Sequence, residues 1–186
     1  LNFTTKRSTD LDGISIYLLK TVSPEISTPL SHIFNLSIVQ GVFPTKLKSS
    51  RTVPIFKSGD KELCDNYRPI SLLSSFSKIL EKLISIQLVN HLELNHLLYE
   101  HQYGFQKNKS TEHNLTHVTN YIYSALNEKK YCIGLFLDLK KAFDVCSHGI
   151  LLKKLKKYGI TGTAHAWFAS YLKDRTQYTD IEGNIS

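Results

Sequence analysis

Apolar and polar positions along the chain fall into a mostly helical rhythm. Residues 11–20 (LDGISIYLLK) read as a helix. Residues 24–40 read as a second, with Leu30, Ile33, Phe34 and Ile38 at helical spacing and Gly41 as its stop. Residues 74–96 form a long amphipathic helix whose stripe is Ile79, Leu80, Leu83, Ile84, Leu88 and Leu92. Ser110 is placed to cap a helix running to about Glu128. Two more helices are expected at 147–158 and 164–173, with Gly159 and Gly162 between them. Strands are few. Residues 51–56 (RTVPIF) form one, and Pro54 argues for a sheet edge. Residues 131–138 form the strongest, and their apolar side chains do not alternate cleanly, so burial on both faces is expected. Polar loops occupy 57–67 (KSGDKELCDNY, running into Arg68-Pro69-Ile70-Ser71) and 101–109 (HQYGFQKNK). Helices dominate and strands do not alternate with them, which predicts an α+β fold.

Composition narrows the partners. The chain has 186 residues, of which 41% are hydrophobic, enough for one domain or a large part of one. No apolar run approaches the roughly 18 residues of a membrane span, so no membrane partner is expected. There are 23 basic and 16 acidic residues, a formal charge of +7. An excess of this size fits either a polyanion partner, nucleic acid above all, or a merely basic surface. Cys64, Cys132 and Cys146 stand far apart with no CxxC pair, so neither a disulfide framework nor a zinc site is expected. The eight histidines show no metal-ligand spacing. Methionine is absent, and with the ends at Leu1 and Ser186 this reads as a piece of a longer reading frame.

The chemistry gathers around FLDLKKAFD, residues 136–144. Asp138 emerges where the apolar run ends. A carboxylate there either holds Mg²⁺, which takes one or two protein carboxylates and completes its shell with water and phosphate, or caps the following turn. Lys57, Lys61 and Arg68 supply donors suited to a triphosphate, or else a solvated loop. Phe143, between a turn and a helix, reads on its own as core. Asp144 is placed to cap the next helix or to pair with a lysine.

Taken in order, NYRPISLL at 66–73, QYGFQKNKST at 102–111 and LDLKKAFD at 137–144 resemble the reverse transcriptases of non-LTR (LINE-like) retrotransposons. Lys57-Ser58-Gly59-Asp60, the stretch His148-Gly149-Ile150-Leu151 with LLKKLKKYGI, and WFASYLKDRTQY at 167–178 extend the resemblance, which runs from about Asp12-Gly13-Ile14 to the end. It implies a right-hand polymerase that copies RNA into DNA from dNTPs with Mg²⁺ or Mn²⁺, two ions in the full-length enzyme. Residues 1–36 would be a helical lead-in and 37–186 a C-terminally truncated reverse-transcriptase domain, with fingers to about 130 and the start of the palm at 131–186.

The resemblance also implies residue roles. Asp138 would be the first metal-binding aspartate, with the backbone carbonyl of Leu139 near the same ion. Phe143 would be the aromatic gate under the sugar of the incoming nucleotide. Arg68, with Lys57 and Lys61 as neighbours, would hold its triphosphate. Lys107 and Lys109 would touch the template backbone, and Asp144 is bound to the motif without a clear role. Partners would be RNA template, DNA primer, dNTPs and the rest of an element polyprotein (endonuclease, remaining palm, thumb). The location would be intracellular, nuclear for the full-length protein.

The family's glycine-rich PQGS-like segment and its paired-aspartate F/Y-A-D-D element are absent, and no two aspartates are adjacent. The chain alone is therefore expected not to polymerise. Other readings are a decayed or domesticated copy that only binds nucleic acid, a group II intron maturase, and a metal-dependent phosphohydrolase built around Asp138.

Overall fold

Residues 3–5, 7–139, 142–181 and 184–185 are described by a computed structural model. The chain divides into two compact units, residues 1–88 with 147–186, and residues 89–146. In the first unit, α1 (Ile16–Thr21) starts where the Ser15 hydroxyl accepts from the Leu18 N–H at 3.1 Å. Next comes α2 (Ser23–Gln40), carrying Pro24 in its first turn, where a missing N–H costs nothing. It stops at Gly41, whose φ of +67° favours glycine; a Cβ there would also stand 3.0 Å from the Thr163 carbonyl oxygen. The 20-residue α3 (Ser75–Leu94) runs from the first unit into the second.

The N-terminus of α3 is capped from a distance. Asp10, almost fully buried, accepts the Ser75 N–H with one carboxylate oxygen and the Asp12 and Ile14 N–H groups, each at 2.9 Å, with the other. One side chain thus satisfies an orphan donor of a long helix and closes the turn at Gly13. Burial alone would raise the Asp10 pKa. The hydrogen bonds from Ser75, Ile14 and Asp12 outweigh it, so the net shift is downward from 3.8.

The sheet has four strands in the order β2-β1-β3-β4: β1 (Ser49–Phe56), β2 (Tyr67–Leu73), β3 (Thr176–Ile181) and β4 (Asn184–Ile185). Antiparallel β2 lies on one side of β1, and parallel β3 pairs with Ser49 to Thr52 on the other. The strand expected at an edge is therefore an inner strand along Ser49–Thr52 and an edge only from Val53 onward. Pro54 sits just past the end of the β3 pairing, opposite Pro69. The Lys57 N–H donates to the Asn66 carbonyl at 2.8 Å, so hydrogen-bonded pairs recur at 55/68 and 53/70. The Pro54/Pro69 pair falls where no ladder N–H is needed. Both β2 and β3 lie outside the strands expected from the sequence.

The core of this unit is Phe34, Phe43, Leu80 and Trp167, flanked by Leu30, Ile79, Leu83 and Tyr171. Phe43 is fully buried and meets Trp167 edge-on at 5.4 Å and Tyr171 at 5.0 Å. Those two rings belong to α6 (Gly162–Leu172) and stack at 5.6 Å. The Trp167 Nε1–H donates to the Ser37 hydroxyl at 3.0 Å, and the Phe43 N–H donates to the Ser170 hydroxyl at 3.0 Å. Tyr171 donates to Glu81 at 3.2 Å; burial first, and then the Glu81 charge, raise its pKa. The remaining helix, α5 (His148–Lys157), is capped by the Ser147 hydroxyl, which accepts from the Ile150 N–H at 3.4 Å.

In the second unit, α4 (Thr111–Asn127) begins as expected, with the Ser110 hydroxyl accepting from the His113 N–H at 3.3 Å. The segment 131–139 departs from expectation. It is irregular rather than a strand, and its apolar side chains are exposed rather than buried. Tyr131 is 100% exposed, Ile133 93% and Phe136 92%. The reason is hydrogen bonding. A buried strand must pair its N–H and C=O groups on both sides, and no strand among the described residues pairs with this one.

Replacing Asp10 with Ala should lower unfolding free energy by about 1–2 kcal/mol at pH 7, as loss of a buried cap does. Because its carboxylate is held below 3.8, its contribution is complete above that pH and is lost as pH falls through the lower, folded-state value. Urea melts from pH 7 to pH 2 should show Asp10→Asn with a flatter acid limb than the parent. Parallel limbs would refute the assignment.

Candidate functional site

The hairpin β1–β2 carries three of the sequence-predicted cations. Its tip is a built turn. Gly59 has a φ of +93°, and a Cβ there would press to 2.8 Å from the Asn66 amide nitrogen. That amide donates to the Asp60 carbonyl at 2.7 Å, and the Glu62 N–H donates to the Asp60 carboxylate at 2.9 Å. The Tyr67 hydroxyl donates to the Lys61 carbonyl at 2.9 Å. KSGDK is thus a solvent-exposed turn braced by its own hydrogen bonds.

Arg68 lies on β2 opposite Ile55 and is exposed. Period-2 alternation puts Lys57, two residues after Ile55, on the same face as Arg68. Lys61 goes elsewhere: its ammonium stands 5.8 Å over the Phe56 ring, itself edge-on to Tyr67 at 5.5 Å. None of the three makes an ion pair among the described residues. Two unpaired cations on one face of a paired hairpin can take a phosphate; Arg68 offers a planar fork and Lys57 a point charge.

In the second unit, Asp138 is exposed at the end of the irregular segment. One of its carboxylate oxygens accepts the N–H of its neighbour Leu139 at 2.9 Å, leaving the other oxygen available. Leu139 is exposed and brings the next backbone carbonyl. A carboxylate and a carbonyl are hard oxygen donors, chemically suited to Mg²⁺ or Mn²⁺ that fills its remaining positions with water and phosphate. Among the described residues, no group of three His, Cys, Asp or Glu could hold a metal.

Phe143 sits in a turn over 142–145, where the Cys146 N–H donates to its carbonyl at 3.4 Å. It is not core: it is 83% exposed. Asp144 in the same turn is exposed, and Ser147 rather than Asp144 caps the next helix. The lysine partner envisaged for Asp144 is absent from the ion pairs of the described residues.

Phe105 was not singled out from the sequence, yet its ring stands 6.3 Å from that of Phe143, edge-on at 82°. Its φ of +60° is unusual for a bulky residue, and it is 95% exposed. The signal available was the GF pair inside a polar loop. Of the loop lysines, Lys107 is exposed. Lys109 is engaged: it donates to the Glu100 carbonyl and lies 5.3 Å over the Tyr103 ring.

Comparison with known proteins gives a single direction. The family model described as "Reverse transcriptase (RNA-dependent DNA polymerase)" matches residues 55–185. The chain is 34% identical over 182 residues to the probable RNA-directed DNA polymerase from transposon BS of Drosophila melanogaster, covering 97% of this chain and 20% of that protein. It is 34% identical over 174 residues to the RNA-directed DNA polymerase from mobile element jockey of the same species, covering 93% and 19%. It is 30% identical over 141 residues to a Pol polyprotein from type-1 retrotransposable element R2 of Popillia japonica, covering 76% and 19%. The chain thus spans about a fifth of the length of these relatives.

Brief chymotrypsin digestion should cut first at Tyr131, Phe136 or Leu137, where side chains and backbone are open together, well before Phe43 or Trp167. Mass spectrometry of the first fragments checks this; initial cuts in the Phe43–Trp167 core would contradict it.

Proposed function

We propose, from the premise that this chain belongs to the reverse transcriptases of non-LTR retrotransposons, that it supplies the fingers and the first part of the palm of an RNA-directed DNA polymerase. The observation that carries the reading is the family match over residues 55–185, which contains both the Lys57–Arg68 hairpin and the Asp138–Phe143 segment. Substrates of the complete enzyme are an RNA template, a DNA primer and dNTPs. Its partner is the remainder of a longer element protein, with its other palm strands, thumb and endonuclease, acting in the nucleus. No helix among the described residues is long and apolar enough to cross a membrane.

The residues divide the work. Arg68 and Lys57 bind the triphosphate, Arg68 through two parallel N–H donors and Lys57 as a charge; Lys61, held by Phe56, adds to the local potential. Lys107 and Lys109 touch template phosphates without reading sequence. Asp138 and the Leu139 carbonyl would hold the divalent ion. When bound, two such ions neutralise the triphosphate and ease removal of the primer 3′-hydroxyl proton. Phe143, supported edge-on by Phe105, presents a flat ring that leaves no space for a ribose 2′-hydroxyl. Asp144 beside it has no assigned step. A single carboxylate does not hold two metals, so polymerisation requires acidic groups from the longer protein.

Primer extension tests this. The 186-residue chain should not extend a primer, whereas a longer protein containing it should. In that protein Asp138→Ala should reduce extension to background while template binding stays within about twofold, since binding rests on other residues. Loss of both together would mark Asp138 as structural. Phe143→Val should raise ribonucleotide incorporation by about tenfold, equivalent to about 1.4 kcal/mol of discrimination. Unchanged selectivity would refute the gate.

A further inference from the structure

The chain's positive charge is unevenly placed. Residues 89–146 carry six basic and six acidic side chains. The whole excess of +7 therefore belongs to residues 1–88 and 147–186, with seventeen basic against ten acidic. Lys107 and Lys109 lie in the balanced unit, and Lys109 is already engaged with Glu100 and Tyr103. The larger part of the electrostatic footprint of a polyanion partner therefore lies outside this unit.

It is concentrated on α5. Within ten residues this helix carries Lys153, Lys154, Lys156 and Lys157, all exposed. At about 100° per residue these four cover an arc of roughly 160°. Leu151, Leu152 and Leu155 occupy the opposite side; Leu155 is buried and the other two half-buried. The helix is thus fixed by its leucine side and presents a continuous cationic face. None of the four lysines forms an ion pair among the described residues.

The helix C-terminus accounts for some of this charge, since cations there complement the dipole. It does not account for four lysines in five positions. Like charges at i, i+3 and i+4 repel one another, and one or two suffice at a helix end. A surface that accumulates mutually repelling cations without acidic partners matches an external line of negative charge.

We propose that the lysine face of α5 is a nucleic-acid backbone-binding surface, making sequence-independent phosphate contacts to the template–primer duplex. This rests on the polymerase reading and extends it to a helix with no assigned part in the chemistry. Each lysine is a compact donor on a flexible stem, so the face follows phosphate without reading bases. Its contribution is displaced by salt, because each neutralised phosphate releases condensed counterions.

The test is the salt dependence of binding of the 186-residue chain to a fluorescent 24-base-pair RNA–DNA duplex of arbitrary sequence, read by anisotropy. With four phosphates neutralised, changing all four lysines to glutamine should make the log Kobs against log salt slope shallower by about 3, from about 0.7–0.9 per phosphate. Lys153→Gln with Lys157→Gln should give about half of that, and changing all four to arginine should keep the parent slope. The double and arginine variants keep the test valid if the quadruple glutamine variant loses helix by circular dichroism.

A slope unchanged by the double glutamine variant, or no duplex binding by the parent, would overturn the proposal. So would binding to phosphatidylserine vesicles in place of the duplex, which would make this a membrane-facing helix. The polymerase reading is judged separately by primer extension with Asp138→Ala. An unaffected slope in a chain whose longer form extends primers would therefore remove the α5 surface and spare that reading.

Discussion

The first unit depends on one contact, the fully buried Phe43 ring held edge-on between Trp167 and Tyr171. Aromatic side chains of this kind bury about 150–250 Å² each, and edge-to-face pairs add about 0.5–1.5 kcal/mol apiece. That energy is set against closing a chain excursion of more than a hundred residues, whose entropic cost grows only with the logarithm of length. Once the rings meet, shorter interactions lock the join. Ser37 accepts from Trp167, and Ser170 accepts from the backbone next to it, at Phe43. Glu81 receives the Tyr171 hydroxyl and pairs at 3.7 Å with Arg175, whose guanidinium lies 4.6 Å over the Tyr171 ring. The parallel pairing of β1 with β3 then needs only a few residues of register, because its two strands are delivered together.

That join explains the WFASYLKDRTQY stretch in physical terms. Trp167 is core and Tyr171 packs against it, Ser170 satisfies the backbone N–H of the buried Phe43, Arg175 bridges ring and carboxylate, and Gln177 pairs with Ser50 in the sheet. Polar and aromatic residues gathered in one short stretch invite a chemical role. Here the residues hold the sheet that carries the Lys57–Arg68 hairpin.

Helices were legible because their signals are local. Ser110 caps in the expected place and Gly41 takes its positive φ, whereas Ser147 caps the helix for which the sequence had offered Asp144. Strands were less so. Tyr67–Leu73 contains Pro69, a mark against a strand, and only its register opposite Pro54 shows why that proline is harmless. Thr176–Ile181 is largely polar, and its pairing depends on a partner more than a hundred residues away. The Asp10 cap could not be read from the sequence either, since its target, Ser75, lies sixty-five residues on. For the site, residue types and order were visible, but the hairpin that carries Lys57 and Arg68 was not, because its second strand was expected as the end of a polar loop. The Phe105–Phe143 contact was not visible, because it depends on an unusual backbone conformation in a polar loop.

The same distinction separates the two segments that carry the candidate site residues. Arg68 and Lys57 rest on backbone paired across seven residue positions, and a fixed turn sets their spacing. Asp138 rests on backbone with no pairing among the described residues, at the end of five large apolar side chains open to water. A metal-binding carboxylate works only when held within roughly half an ångström of its productive position. Phosphate binding tolerates more movement, because a lysine or arginine follows its target. The Lys57–Arg68 hairpin is therefore held by its own pairing, while Asp138 has no such support among the described residues. The run Ile133, Leu135, Phe136 and Leu137 reads as strand in sequence and lies exposed in the fold, as expected where local preference for extended structure is strong and no ladder partner stands among the described residues. Pairing that segment would bury the apolar side chains and fix the Asp138 carboxylate in the same step.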